Sequence, residues 1–332
     1  MARKSVKKAA PKPKAAVPAT PSLAGRPGGI SFWKFFVLVL IILGVLYGPG
    51  FFKNGFQTTP TYFKLKKVTD FKLNPHPEKT FFATDVAVIG PNELAITDQP
   101  GGQVLIYDFK GKLIHAWGKV GKGPKEFNEP SGVTSDHKGH FFVMDTWNGA
   151  VKEFDIKGNL IKVLDLAHFG NFYGPRQVKW DGDALLIPNP ANLSLGRLSL
   201  EDELLNVWHD DQVGKVSSAI GDGKGHYYLG DSNLKKSRVQ VLDGSGKLVQ
   251  SIKTGIPATC MALDSKGRLF VGSYGDVAKV FDKNGNLLGC LVDEAQPTAT
   301  LGQWMGVDIA PDDLIVTGGA NYVTIYKVSE DK

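Results

Sequence analysis

From residue 61 onward, short apolar runs alternate with polar turns, and one run keeps returning with the same ending. LAITD (94–98), FFVMD (141–145), LLIPN (185–189), YYLGD (227–231), LFVGS (269–273) and LIVTG (314–318) are each an apolar strand closing on a small or acidic residue, a little over forty residues apart. A shorter strand precedes each copy: DVAVI at 85, GVTSD at 132, QVKWD at 177, AIGDG at 219, CMALD at 260 and GVDIA at 306. A third follows, as in QVLIYD at 103, AVKEFD at 150, RVQVLD at 238, VAKVFD at 277 and YVTIYK at 322. Then come a turn and a fourth strand: DFKGKLI, DIKGNLI, DGSGKLV and DKNGNLL. Asp with a nearby Gly supplies the backbone angles of tight hairpins, so the unit is a four-stranded antiparallel meander. Units of this length stack as propeller blades, and the expected fold is an all-β, six-bladed β-propeller over residues 61–328.

The first strand of each unit shows where it sits. Its second position is apolar in all six copies: Val86, Val133, Val178, Ile220, Met261 and Val307. Its first and third positions are small or polar and include Asp85, Gln177, Lys179, Cys260 and Asp308. Side chains alternate across a strand, so one face packs between blades and the other is expected to line a narrow, wet central channel. Lys179 and Asp308 face each other there as a candidate water-bridged pair. The last unit stops after three strands, which would leave an open edge. TYFKLKKVTDFKL (61–73) is a spare strand-like stretch, expected to supply the missing outer strand and close the ring.

The net charge of +6 changes meaning once it is located. Eight cations (Arg3, Lys4, Lys7, Lys8, Lys12, Lys14, Arg26 and Lys34) precede residue 35, and the first acid is Asp70. Without them the remainder carries about −2, which is not the electrostatic footprint of a nucleic-acid binder. Residues 1–31 read as a disordered basic tail, too poor in apolar groups to order themselves. Residues 32–52, with FFVLVLIILGVLYGPGFF uncharged, match the roughly 20 residues of a transmembrane helix. No A-x-A cleavage pattern follows, so the segment reads as a signal anchor and not a cleaved leader. The basic flank places the N-terminus in the cytoplasm and the propeller, after a 53–60 tether, in the periplasm or outside the cell. Cys260 and Cys290 fall on the innermost and outermost strands of one unit, about 14 Å apart by strand spacing, so they are expected to be unbonded.

NEPSGVTSDHKGHFFVMDTWNGAVKEFDIKGNLI (128–161) resembles an NHL repeat, as does PATCMALDSKGRLFVGS with VAKVFDKNGNLL. The resemblance implies a six-bladed propeller used for binding, and related propellers include metal-dependent lactonases and lyases. The channel positions offer few oxygen ligands for a calcium ion. His137 and His140 fall in a hairpin turn. His209, with Asp210 and Asp211, is the better metal candidate, but zinc would need a third or fourth ligand from another unit, for which His168 and His226 are the available histidines and nothing in the sequence requires them. Neither a nucleophile elbow, nor H-E-x-x-H, nor a P-loop is present. Asp98, Asp145 and Asp231 recur at one place in the repeat and read as turn caps. No cofactor or metal is expected.

The loops after the second and fourth strands carry Trp147, Asn148, Tyr173, Arg176, Lys235, Lys236, Tyr274, Trp304 and Tyr322. Aromatic and Arg side chains anchor interfaces, which makes this the candidate docking face. The expected function is non-covalent recognition of a protein, peptide or envelope polymer outside the cytoplasm. The alternatives are a metal-dependent periplasmic lactonase or lyase working at the channel mouth, and a structural subunit of a larger membrane complex.

Overall fold

The computed structural model describes residues 61–73, 81–170, 174, 176–209 and 215–329. The tail, apolar segment and tether (1–60) lie outside them, as does Tyr173. Among the described residues no helix is long and apolar enough to cross a membrane. Among those residues helix is confined to two short 3-10 turns, Thr146–Asn148 and Leu166–Phe169.

Four separate sheets each hold four consecutive antiparallel strands. The first is β2 (Ala83–Gly90), β3 (Glu93–Asp98), β4 (Gln103–Asp108) and β5 (Leu113–Trp117); the second is β6 (Pro130–Ser135), β7 (His140–Asp145), β8 (Ala150–Asp155) and β9 (Leu160–Asp165). The third is β10 (Lys179–Trp180), β11 (Leu185–Asn189), β12 (Ser194–Leu198) and β13 (Leu204–His209); the fourth is β14 (Val216–Gly221), β15 (Tyr227–Asp231), β16 (Arg238–Leu242) and β17 (Leu248–Lys253). A nine-stranded sheet holds the rest: β18 (Cys260–Leu263), β19 (Leu269–Gly272), β20 (Lys279–Phe281), β21 (Leu287–Asp293), β22 (Gln296–Thr300), β23 (Gly306–Ile309), β24 (Ile315–Gly318), β25 (Tyr322–Val328) and β1 (Tyr62–Lys72).

Burial explains why these segments are strands. β3 and β4 are buried on both faces, whereas the outer strands β5 and β17 are largely exposed. That gradient arises when sheets stand side by side around an axis, each covering the faces of its neighbours. The apolar clusters follow the same order. Ala87, Val104 and Ile106 pack with Val133, Phe141 and Phe154 of the second sheet, and Phe142, Met144 and Val151 pack with Leu185 and Ile187 of the third. The series ends where Val86, Leu94 and Leu105 meet Val316, Val323 and Ile325, so the last strands pack on the first sheet. The chain is a β-propeller.

The hairpin between the third and fourth strands is built alike in four sheets. The carboxylates of Asp108, Asp155, Asp243 and Asp282 each accept backbone N–H groups two and four residues on. Hydrogen bonds from Asn159, Ser245 and Asn286 side chains, helped by those backbone donors, hold Asp155, Asp243 and Asp282 below the usual carboxylate range.

The expected closure is present. β1 pairs antiparallel with β25 from Leu65 opposite Val328 to Lys72 opposite Tyr322. The same strand also does something its sequence does not announce: Tyr62 to Leu65 pair in parallel with Cys290 to Asp293 of β21. A bulge between Lys67 and Thr69 interrupts the antiparallel register, and fully buried Leu65 takes part in both pairings. β1 thus joins two neighbouring units. Cys260 and Cys290 are both free thiols.

Candidate functional site at the channel mouth

At the end of the sheets where first strands begin and second strands finish, a cavity of about 520 Å³ opens. That is the size of a small-ligand pocket. Its lining comes from successive sheets: Gln99 after β3, Glu129 before β6, Trp147 after β7, Arg176 before β10, Pro188 in β11 and Lys215 before β14. Pro190, Ala191 and Val216 complete an apolar wall. Proline in a strand forgoes a ladder hydrogen bond, so the departure of the third repeat from the common pattern serves the cavity wall.

The second sheet positions its contribution firmly. Lys152 and Asp145 form a buried ion pair at 2.9 Å, and the Lys152 ammonium also donates to the carbonyls of Gly123 and Glu126 and lies 4.9 Å from the Phe127 ring centre. Asp145 accepts the backbone N–H of Asn128 at 2.7 Å, and Trp147 N–H donates to the Asn128 carbonyl at 3.0 Å. The loop before β6 and the turn after β7 are thereby fixed to each other. Between them Glu129 adopts a left-handed backbone, φ 59°, that a non-glycine residue seldom takes. Strain of this kind clusters at ligand sites. Its carboxylate accepts from the Gln99 side-chain amide at 2.9 Å.

The other recurring aspartates behave as the repeat suggests. Asp98 accepts Phe82 N–H at 3.2 Å, and Asp231 accepts Lys215 and Asn233 N–H groups at 3.1 and 2.9 Å. Arg176 and Lys215 are exposed, and neither side chain makes an ion pair or hydrogen bond among the described residues.

One or two residues deeper along the inner strands lie the groups assigned to the channel. Asp85, Gln177, Lys179 and Cys260 are buried, and Asp308 is half-buried. They are more tightly closed than a wet channel requires. A Cβ at Gly132 would fall 2.8 Å from the Gln177 backbone, and one at Gly306 would meet the Asp85 carboxylate and Val86 nitrogen, so neighbouring inner strands approach where only glycine fits. Lys179 gains a direct partner that blade position did not indicate. Lys179 reaches Asp85 at 3.7 Å and the Val307 carbonyl at 3.5 Å, while Asp308 accepts the backbone N–H groups of Val88 and Ile309 at 2.8 and 3.0 Å. Burial pushes the Asp85 carboxyl up to about 6, against Lys179 and the N–H groups of Val133 and Val86, which pull it down. Burial works against the Lys179 charge, but Asp85 and Asp308 outweigh it and leave that ammonium above its ordinary value. Burial, with the Asp85 charge added, pushes the Cys260 thiol up to about 12.

The docking residues named from sequence divide. Trp147 (43% exposed) and Arg176 share the mouth cavity. Lys235, Lys236 and Tyr274 are exposed on loops that do not line it. Trp304 is a correction: it is 2% exposed, packed against Gly272 in the apolar cluster of Cys260 and Phe270, because glycine at 272 leaves room for the indole. Asn148 is also structural, donating to Gly121 O and Asp145 at 2.8 Å each. Tyr322 is half-buried over Gly319 and, with Trp304, lines a second cavity of about 360 Å³. Gln99, Glu129 and Lys215 were not singled out by sequence. They stand outside the repeated strand motifs, and only the ring brings them together. Among the described residues no three His, Cys, Asp or Glu side chains converge to hold a metal. His140 pairs with Glu153 at 3.0 Å and His226 with Asp222 at 2.9 Å.

A family model described as a 6-bladed beta-propeller matches residues 84–197. Among solved structures the chain is similar to the WD40 β-propeller domain of Doa1, at 12% identity over 81% of this chain and 98% of that one, with a TM-score of 0.56. It is similar also to a catalytically inactive virginiamycin B lyase from Staphylococcus aureus with quinupristin, at 12% identity over 79% and 99%, TM-score 0.55. A streptogramin B lyase structure gives 10% identity over 79% and 98%, TM-score 0.54. Likeness at these identities carries the fold and leaves function to the site.

Proposed function

We propose that this chain is a membrane-tethered binding module. On this reading an NHL-like propeller of six blades (61–328) stands outside the cytoplasm, held by the apolar segment 32–52 behind a basic cytoplasmic tail. It recognises a protein, peptide or envelope polymer without a cofactor. The observation that supports recognition is the mouth cavity, where an exposed indole and an exposed guanidinium share one concave surface. Such side chains dominate binding energy when they sit centrally in an interface. The apolar, uncharged run behind eight cations supports the tether.

A photo-crosslinking amino acid placed at position 147, in the full chain in its native membrane, tests the reading. Adducts are expected from position 147 and not from position 110, which lies in the hairpin between β4 and β5. Trp147→Ala with Arg176→Ala should weaken capture of the crosslinked partner by about 2 kcal/mol or more. Adducts from position 110 alone would move the working surface to the other end of the sheets.

A further inference from the structure

The ligand at the mouth has a chemistry that the cavity itself selects. Four carboxylates stand at or beside it, and all are engaged. Asp98, Asp145 and Asp231 cap backbone N–H groups, Asp145 is also paired with Lys152, and Glu129 is held by Gln99. The hydroxyls around the rim are likewise committed: Ser131 to Thr146 at 2.6 Å, Ser217 to the Ala258 carbonyl at 3.1 Å and Thr259 to the Gly272 carbonyl at 3.3 Å. Two cations remain. Arg176 and Lys215 precede the inner strands of neighbouring sheets, line the same cavity and have no carboxylate partner among the described residues. Among the described lining residues the two cations outnumber the single carboxylate, Glu129, whose recorded partner is the neutral Gln99 amide, and a guanidinium and an ammonium in one cavity recognise an oxyanion. The wall formed by Trp147, Pro188, Pro190 and Val216 is apolar and includes a flat ring. A cavity of about 520 Å³ accommodates a small organic molecule or one end of a chain.

We infer that the mouth takes an organic oxyanion, a carboxylate or phosphate carried on a flat apolar body, with its charge between Arg176 and Lys215 and its body against Trp147. This rests on the binding-module reading and specifies the ligand class within it. A carboxylate would come from an acidic side chain or chain end, and a phosphate from an envelope polymer or lipid headgroup. The cations recognise both, so the probes must separate them.

Titration calorimetry of the full chain with N-acetylphenylalanine, phenyl phosphate and the neutral N-acetylphenylalaninamide supplies the test. One of the two anions should bind at least about tenfold more tightly than the amide, since a charge-assisted hydrogen bond is lost with the charge. Whichever anion binds more tightly identifies the source. Arg176→Gln and Lys215→Gln should each weaken that anion about tenfold and leave the amide unchanged, and rising salt should weaken only the anion. Lys110→Gln, outside the cavity, should change nothing. Equal affinity for amide and anion, or an unaltered anion affinity in the Arg176→Gln/Lys215→Gln protein, overturns the inference. So does the absence of heat from either anion at millimolar concentration. If amide binding is lost with Trp147→Ala while the charge variants have no effect, the mouth still binds ligands and only the oxyanion assignment fails. If Trp147→Ala alters binding of no probe and position 147 yields no crosslink, the binding-module reading fails with it.

Discussion

Replacing Lys179 by Met would leave Asp85 buried without its cation, and the size of the effect should depend on pH in a way that identifies the pair. Asp85 titrates near 3.8 when solvated and is raised to about 6 in the fold. The native state therefore holds this proton more tightly than the unfolded chain. Its contribution to stability is present below pH 4 and is lost as pH rises towards 6. The loss totals about 3 kcal/mol, because each pH unit between the two titration points is worth about 1.4 kcal/mol. Lys179 is the strongest of the influences pulling the carboxyl down. In Lys179→Met the proton should stay on past pH 6, and stability should keep falling where the wild type has levelled. At pH 5 both proteins hold the proton, and the substitution costs little through this group. By pH 8 the variant should have lost roughly 2 to 3 kcal/mol more than the wild type, counted from the pH 5 difference. Urea unfolding followed by tryptophan fluorescence at the two pH values measures this. In an Asp85→Asn background the cost of Lys179→Met should be the same at pH 5 and pH 8. A Lys179→Met penalty of equal size at pH 5 and pH 8 would refute the coupling, because a packing defect does not titrate.

Three further outcomes are expected. Deleting residues 61–73 removes the partner of both β21 and β25 and the buried Leu65; light scattering should show association through the opened edges, and an unchanged, monomeric melting transition would contradict the closure. Gly306→Ala places a methyl group against Asp85 and the backbone nitrogen of Val86, so it should lower stability by about 1 to 3 kcal/mol in denaturant titration. Mass spectrometry after brief treatment with a thiol-alkylating reagent should find Cys290 modified and Cys260 intact, since burial and a thiol pushed up to about 12 protect Cys260; equal labelling would place Cys260 outside the core.

The propeller was legible in the sequence because its repeats are local. Each four-strand unit is encoded by an alternating apolar pattern and an Asp and Gly turn, and these act over a few residues wherever the unit sits. Val86, Val133, Val178, Ile220, Met261 and Val307 are all buried as their spacing implied. The need for a closing strand also followed from counting, since a sheet with three strands where others have four exposes an edge. The second register of β1, parallel to β21, did not follow, because pairing between distant segments depends on where the ring brings their ends. The same holds for the site. Trp147 and Arg176 were visible as side chains that anchor interfaces, but Trp304 is of the same chemical type and is buried, since Gly272 opposite it admits the ring. Lys179 was expected to face Asp308 by blade position, but its direct ion pair with Asp85 at 3.7 Å, and the hold of the Val88 and Ile309 backbone N–H groups on Asp308, were not indicated by the sequence. Which residues form strands, and which faces of those strands turn inward, could be read from the chain because both depend on near neighbours in it. Which charges are paired, and which remain free to meet a ligand, depends on distances across the ring that no stretch of sequence contains.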